Sequence, residues 1–273
     1  MKKVVIVIAT HKKYDMPSDS MYMPLHVGAE GKRDENGNPL DFGYVKDNTG
    51  DNISEKNFCF GSQTGLYWAW KHIDAEYLGL VHYRRYFIGR KANKNNKLEA
   101  ALTFEQLEPM LDKYKVFVPK RRNYYIETIY SQYAHTMNGG AEQFDLAEKI
   151  IDELTPEYNH AFKTVMNRTW AHMFNMMIMK KDLINNYCSW LFKILFEMYK
   201  RLDLSSMSDF DKRFAGRVSE RLFNVWLEYQ IEKGVIKRDE IKELPYLEEV
   251  NWRTKISSFV SAKLFHKKYG ASF

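Results

Sequence analysis

The chain has 273 residues, 45% of them hydrophobic and 28% charged, so it can bury a large core and is not a disordered polymer. Its formal net charge of +6 favours an anionic ligand, a nucleic acid or an anionic membrane surface. The lysines and arginines form no continuous block, which argues against nucleic acid, and the two cysteines make neither a disulfide framework nor a zinc pattern.

Met1-Lys2-Lys3 mimics the start of a secretion signal, but the apolar run at 4–9 is too short and lacks a cleavage-like end. Residues 3–9 read instead as a β-branched central strand, ending in the polar cluster Thr10-His11-Lys12-Lys13-Tyr14-Asp15. A second short strand over 23–27 stops at Gly28. Asn36-Gly37 and Asn38-Pro39 mark 31–41 as a surface loop. Residues 47–57 hold one apolar side chain and read as a solvated or ligand loop, without the ligand spacing of an EF-hand. A helix over 61–72 precedes a strand over 77–81, which runs into His82-Tyr83-Arg84-Arg85. Open α/β sheets place ligands at the C-terminal ends of such buried strands, and two guanidinium forks suit phosphate oxygens. A solvated basic turn is the alternative.

A basic, Asn-rich linker covers 91–98. Thr103-Phe104-Glu105-Gln106 fits a capping box opening a helix to about Lys113, and the strand at 116–118 stops at Pro119. From 126 onward the pattern is mainly helical: 126–135, 141–154 and 156–166, broken at Asn138-Gly139-Gly140, then 182–202 and 218–233. A strand over 173–179 and a polar loop over 205–216 interrupt these helices. The tail at 251–273 reads as a basic amphipathic helix, able to lie on an anionic membrane or to pack on the body. No stretch approaches the ~20 apolar residues of a spanning helix. The expected organisation is an α/β domain over 1–240 followed by a tail over 241–273, in a reducing cytoplasmic setting.

The segments Ala9-Thr10-His11-Lys12-Lys13-Tyr14, Pro24-Leu25-His26-Val27-Gly28-Ala29, Asp47-Asn48-Thr49-Gly50-Asp51-Asn52-Ile53-Ser54 and Gly79-Leu80-Val81-His82-Tyr83-Arg84-Arg85-Tyr86-Phe87 carry a resemblance. They resemble a bacterial family of capsular and exopolysaccharide biosynthesis proteins, long labelled a domain of unknown function and regarded as glycosyltransferases. Residues 173–176 and 219–223 fit the same pattern. The resemblance implies a GT-A-like fold, a mixed sheet flanked by helices with a nucleotide-sugar at the C-terminal ends of the first strands. It implies a uridine-diphosphate donor, with galactose in pyranose or furanose form as the leading sugar, and a glycan or lipid-linked acceptor at the inner face of the membrane. Ordinary GT-A enzymes carry an Asp-x-Asp pair holding a divalent metal where this chain has His82-Tyr83-Arg84-Arg85. Guanidinium charge is therefore expected to replace an obligatory Mg²⁺ or Mn²⁺, with a metal on Asp47 or Asp51 as the alternative.

On that reading Arg84 and Arg85 stabilise the departing diphosphate, with His82 assisting beside Tyr83. Thr10, His11 and Lys12 border the nucleotide, Asp51 and Asn52 the ribose or donor sugar, and His172 and Asn175 the acceptor. The base comes from Asp209, Asp211 and Glu220, with Glu220 first and a salt bridge to Arg217 or Arg221 as its structural alternative. A sugar-binding module without turnover would keep the basic and aromatic groups but need no base. A nucleic-acid binder is supported by charge alone.

Overall fold

A continuous β-branched run can bury both faces only inside a sheet. In the computed structural model, which describes residues 2–89 and 98–248, the opening run does so as strand β1 (Lys2–Thr10). There follow β2 (Tyr22–His26), β3 (Val45–Lys46), α1 (Asn57–Phe60), α2 (Gln63–His72), β4 (Ala75–His82), β5 (Arg85–Phe87), α3 (Phe104–Leu111) and β6 (Val116–Pro119). Next come β7 (Arg122–Asn123), α4 (Ile129–Thr136), α5 (Gly140–Leu154), α6 (Asn159–Met166), β8 (Trp170–Ala171) and β9 (Met177–Lys180). The series closes with α7 (Lys181–Arg201), α8 (Phe214–Glu232), β10 (Ile241–Leu244) and β11 (Tyr246–Glu248). The chain divides into two compact units, one holding the residues up to Lys120 with Phe174–Ser189 and Ile236–Glu248, the other holding Arg121–Met173 and Trp190–Val235.

The first unit is a mixed α/β layer with its sheet in the order β10-β6-β9-β4-β1-β2-β3. The stretch β4-β1-β2-β3 is parallel, β9 runs antiparallel to both β4 and β6, and β5 branches from β4 to pair with β11. Ile6, Val7, Ile8, Leu78, Leu80 and Val81 have no exposed surface. Each such side chain contributes about 1.5–3 kcal/mol of burial. Gly79 faces Ile178 across the β4–β9 ladder, and a Cβ there would lie 2.9 Å from both the Met177 carbonyl oxygen and Ile178 Cγ1. Only glycine lets the two strands approach so closely. The capping box of α3 forms as its residues suggest, Gln106 Oε1 accepting from the Thr103 amide at 3.1 Å.

Register decides where the polar strand ends meet. Ala9 pairs with His82 and Thr10 with His26, all in parallel strands, so the segments after β1, β2 and β4 leave the sheet at one edge. Met177 opposes Leu80 in antiparallel sense, which brings the residues just before β9 to that edge as well.

The second unit is mainly helical, with a two-stranded β7–β8 ladder. Tyr158 stacks against Trp190 at 4.6 Å and Tyr229 at 3.8 Å between ring centroids, and α8 buries Val218, Leu222, Val225 and Trp226. Arg168 pairs with the buried Glu228 at 3.0 Å and also covers the Trp170 ring, as does Arg121.

Several expected boundaries move. The helix expected from 126 begins at Ile129, because Thr128 accepts from the Ser131 amide as its cap. The strand expected over 173–179 becomes a turn at Phe174–Asn175 followed by β9, which starts only at Met177. The tail expected from 241 is overtaken by β10 and β11, which join the sheet beside β6 and β5. Of β10 only Leu244 is buried, so an edge strand with so little apolar alternation carries no period-2 signal. The amphipathic helix expected at 251–273 and nearly all of the 91–98 linker lie outside the described residues. Among the described residues no helix is long and apolar enough to cross a membrane.

Candidate functional site

Thr10 closes β1 with its side chain fully buried. Its hydroxyl donates to the Lys12 carbonyl at 2.6 Å and accepts from the Lys12 amide at 3.2 Å, so it shapes the turn that leaves His11 and Lys12 exposed. Across the sheet edge His82 and Arg85 pair in antiparallel sense, making Tyr83-Arg84 the tip of a tight reversal. The Tyr83 ring meets His11 edge-on at 5.3 Å and Tyr14 at 4.6 Å, and the exposed Arg84 guanidinium lies 5.1 Å from it. Tyr14 is held by its backbone, whose amide donates to the Tyr44 hydroxyl while its carbonyl accepts from it. An aromatic platform flanked by Lys12 and Arg84 can stack a ring and meet anionic oxygens.

The Arg85 guanidinium lies 4.7 Å over the Phe174 ring. Phe174 and Asn175 both occupy the left-handed region, with φ of 74° and 53°. Consecutive non-glycine residues there cost about 1–3 kcal/mol each and persist only when their surroundings hold them. The holding group is His82, whose Nε2 bonds the Phe174 carbonyl. Burial, then the neighbouring Arg85 charge, lowers the His82 pKa to about 4 against the opposing pull of that hydrogen bond. The ring is therefore neutral near pH 7, with its proton on Nε2 as the donor to the carbonyl. A neutral imidazole committed to a carbonyl adds no cation for a diphosphate. His82 braces the strained turn instead of assisting the arginines.

Asp51 and Asn52 are not at this edge. Asp51 accepts from the Tyr67 hydroxyl at 2.9 Å and pairs with Lys71 at 3.4 Å, on the half of α2 that descends to the start of β4. Asn52 closes a local turn, accepting from the Ser54 amide and donating to the Gly50 carbonyl. Asp47, the other carboxylate considered for a metal, is fully buried and saturated. Its Oδ2 accepts from the Gly28 amide at 2.8 Å and the Thr64 hydroxyl at 2.6 Å, and its Oδ1 from the Ala29 amide at 3.1 Å and the Ser54 hydroxyl. The turn after β2, the loop after β3 and the start of α2 are latched together through this one side chain. Asp47 and Asp51 are thus engaged by protein partners, and among the described residues no three His, Cys, Asp or Glu side chains converge.

The remaining residues lie in the second unit, apart from Asn175, which is buried in the first. His172 is buried, its backbone clamped by Asn224: the His172 amide donates to Asn224 Oδ1 and its carbonyl accepts from Asn224 Nδ2, both at 2.8 Å. Its ring meets Trp170 edge-on. Glu220 pairs with Arg221 at 2.9 Å, the salt-bridged arrangement. Asp209 is exposed and pairs with Lys212, whereas Asp211 is buried. The Asn138 amide group and the Ser208 hydroxyl both donate to Asp211 Oδ2, and Oδ1 has no partner.

Sequence reasoning missed two contributors. Tyr14 carried a signal, an aromatic within the polar strand end. Phe174 carried only its place in the 173–176 resemblance, since its role rests on a backbone conformation and a cation above its ring.

The chain matches the family described as "Domain of unknown function (DUF4422)" over residues 5–231. No curated protein matches it. Among solved structures it is similar to the apo form of WbbM, a bifunctional glycosyltransferase, at 26% identity and a TM-score of 0.81. That superposition covers 92% of this chain and 46% of the other, so the chain spans about half the length of the protein it matches.

Proposed function

The chain belongs to the DUF4422 family, and from that membership and its cationic sheet edge we propose a glycosyltransferase that moves a sugar from a nucleoside-diphosphate donor to a glycan or lipid-linked acceptor. One observation carries this reading. The Ala9–His82 register sets Thr10-His11-Lys12 and Tyr83-Arg84-Arg85 on one edge, the place where a parallel sheet receives an anionic, ring-bearing ligand. The likeness to WbbM supports the reaction class.

In the transfer, the bond between the anomeric carbon and the diphosphate oxygen breaks as the acceptor oxygen bonds that carbon, and the acceptor proton passes to a base. Negative charge builds on the leaving diphosphate, where Arg84 supplies an exposed guanidinium and Arg85 a second positive charge. The donor's ring stacks on Tyr83 and Tyr14, beside His11 and Lys12. Asn175, at the same edge, faces the acceptor. Of the carboxylates considered for the base, Glu220 is engaged by Arg221, whereas Asp211 keeps one oxygen unpartnered. A uridine-linked galactose, pyranose or furanose, heads the donor panel on the family resemblance, and no Mg²⁺ or Mn²⁺ is required. A capsular or exopolysaccharide acceptor on a lipid carrier would bring the enzyme to the inner membrane face.

The test is a thermal-shift screen against nucleotide-sugars, followed by release of free nucleoside diphosphate in the presence of chelator. Stabilisation by a uridine-linked sugar with turnover supports the proposal. Stabilisation without turnover in the presence of acceptor glycans would favour a binding module instead.

A further inference from the structure

The second unit contains buried polar groups that the protein itself does not satisfy. Asp211, Gln143 and Arg221 are each more than nine-tenths buried, yet Asp211 Oδ1, Gln143 Nε2 and Arg221 Nε have no hydrogen-bond partner. Buried polar atoms are nearly always paired, and several unpaired in one neighbourhood call for an occupant.

These atoms belong to one network. The Tyr133 hydroxyl donates to Gln143 Oε1 at 2.6 Å, fixing the amide so that Nε2 faces away from Tyr133. Arg217 also hydrogen-bonds Tyr133, and its Nη2 donates to the Asp211 carbonyl at 3.1 Å. Asn138 donates to Asp211 Oδ2, and the next residue, Gly139, turns the chain with a φ of +62°. Gln143 Nε2 lies 3.7 Å from where a Gly139 Cβ would stand. The unpartnered acceptor on Asp211 and the unpartnered donor on Gln143 thus flank the same Asn138-Gly139 turn. Asn138 and Ser208 are exposed, so the network reaches solvent.

Charge chooses among occupants. Asp211 and Glu220 offset Arg217 and Arg221, with Glu220 and Arg221 already in contact. A charged ligand would leave a net charge in a largely buried site, whereas a neutral one would not. What remains to be met is one acceptor, Asp211 Oδ1, and three N–H donors, Gln143 Nε2, Arg217 Nε and Arg221 Nε, with Asp211 and Gln143 on either side of a turn. A hydroxyl both donates and accepts, so adjacent hydroxyls of a sugar can donate to Asp211 and accept from Gln143 and the arginines.

We propose that the Asp211–Gln143 network is a subsite for the vicinal hydroxyls of a neutral saccharide. Resting on the transferase reading, this makes the acceptor a neutral glycan, since the donor's charge is met at the Arg84 edge.

The experiment is saturation-transfer NMR on the full chain with methyl glycosides of galactose, glucose, mannose and rhamnose, and with glucuronate as the anionic control. Neutral glycosides should bind, and Asp211→Asn or Gln143→Met should weaken them by about tenfold, the worth of one buried hydrogen bond to a fixed partner. Uridine-diphosphate binding, read by thermal shift, should be unchanged in both variants. Should one variant fail to fold by circular dichroism, the other carries the test, and glucuronate competition on the unaltered chain stands beside it. Absence of glycoside binding, equal binding by both variants, or preference for glucuronate would overturn the proposal. Nucleotide-sugar turnover in that case would leave the transferase reading standing. Glycoside binding lost in the variants, with no donor binding by any form, would uphold the subsite and remove the transferase.

Discussion

Asp47 separates a structural account of the loop after β3 from a metal-binding one, and the change to make is Asp47→Ala. The substitution strands two buried backbone donors, the amides of Gly28 and Ala29, that now lie 2.8 and 3.1 Å from carboxylate oxygens. The two hydroxyls lose less. Thr64 can turn fully to the Gly61 carbonyl, 3.1 Å away, and Ser54 keeps its bond from the Glu30 amide. At about 1–3 kcal/mol for each buried donor left unmade, the loss is about 2–6 kcal/mol. At roughly 2–4 °C per kcal/mol for a chain of this order, the melting temperature should fall by about 10 °C. Asp47→Asn keeps the shape but turns an NH₂ toward one pair of donors, so it should cost about 1–3 kcal/mol. Urea unfolding measures the global loss, and hydrogen exchange at Gly28 and Ala29 reports the site itself. An Asp47→Ala protein with unchanged midpoint and unchanged protection at those amides, but with Mn²⁺-dependent activity abolished, would refute the latch.

Three further outcomes follow from the same geometry. The folded pKa of His82, about 4, lies below its unfolded value of about 6.5, so its contribution to stability is complete above about pH 6.5 and is lost as pH falls toward 4. The ceiling on that loss is about 3 kcal/mol at 1.36 kcal/mol per unit; urea midpoints between pH 7 and 4 should show a dependence that His82→Gln flattens, and identical slopes would contradict it. Gly79→Ala should destabilise by about 1–3 kcal/mol, because its methyl group meets backbone on β9, and an unchanged urea midpoint would count against the packing described. If the 251–273 segment aids membrane contact, its deletion should lower sedimentation with anionic liposomes, and equal sedimentation would dispose of that role.

What could be read from the sequence follows from where the signal is local. The β1 and β4 runs are apolar over enough residues to announce buried strands, and their polar ends announce the edge. The shared edge itself needed only that both strands be parallel. Thr103 and Gln106 carried their capping geometry in their spacing. Asp51 and Asn52 misled, because a polar loop looks the same whether it faces a ligand or folds back along a helix; only the partners Tyr67 and Lys71 decide it. His82 was expected to assist the two arginines, and desolvation with the Arg85 charge nearby lowers its pKa to about 4. The strained Phe174–Asn175 pair and the β10–β11 edge depend on contacts far along the chain, which no local pattern encodes.

The central claim is that guanidinium charge at the β4–β5 turn stabilises the leaving diphosphate. It is tested most directly by sugar-transfer rates in chelator for the unaltered chain, Arg84→Ala, Arg85→Ala and the corresponding Lys variants. The account predicts that the unaltered chain keeps its rate and that each Ala variant loses ~10²–10³. Lys should restore part of it, since an ammonium lacks the bidentate fork. The exposed Arg84 should be removable without loss of melting temperature. Activity abolished by chelator, restored by Mn²⁺ and indifferent to both arginines would contradict the claim.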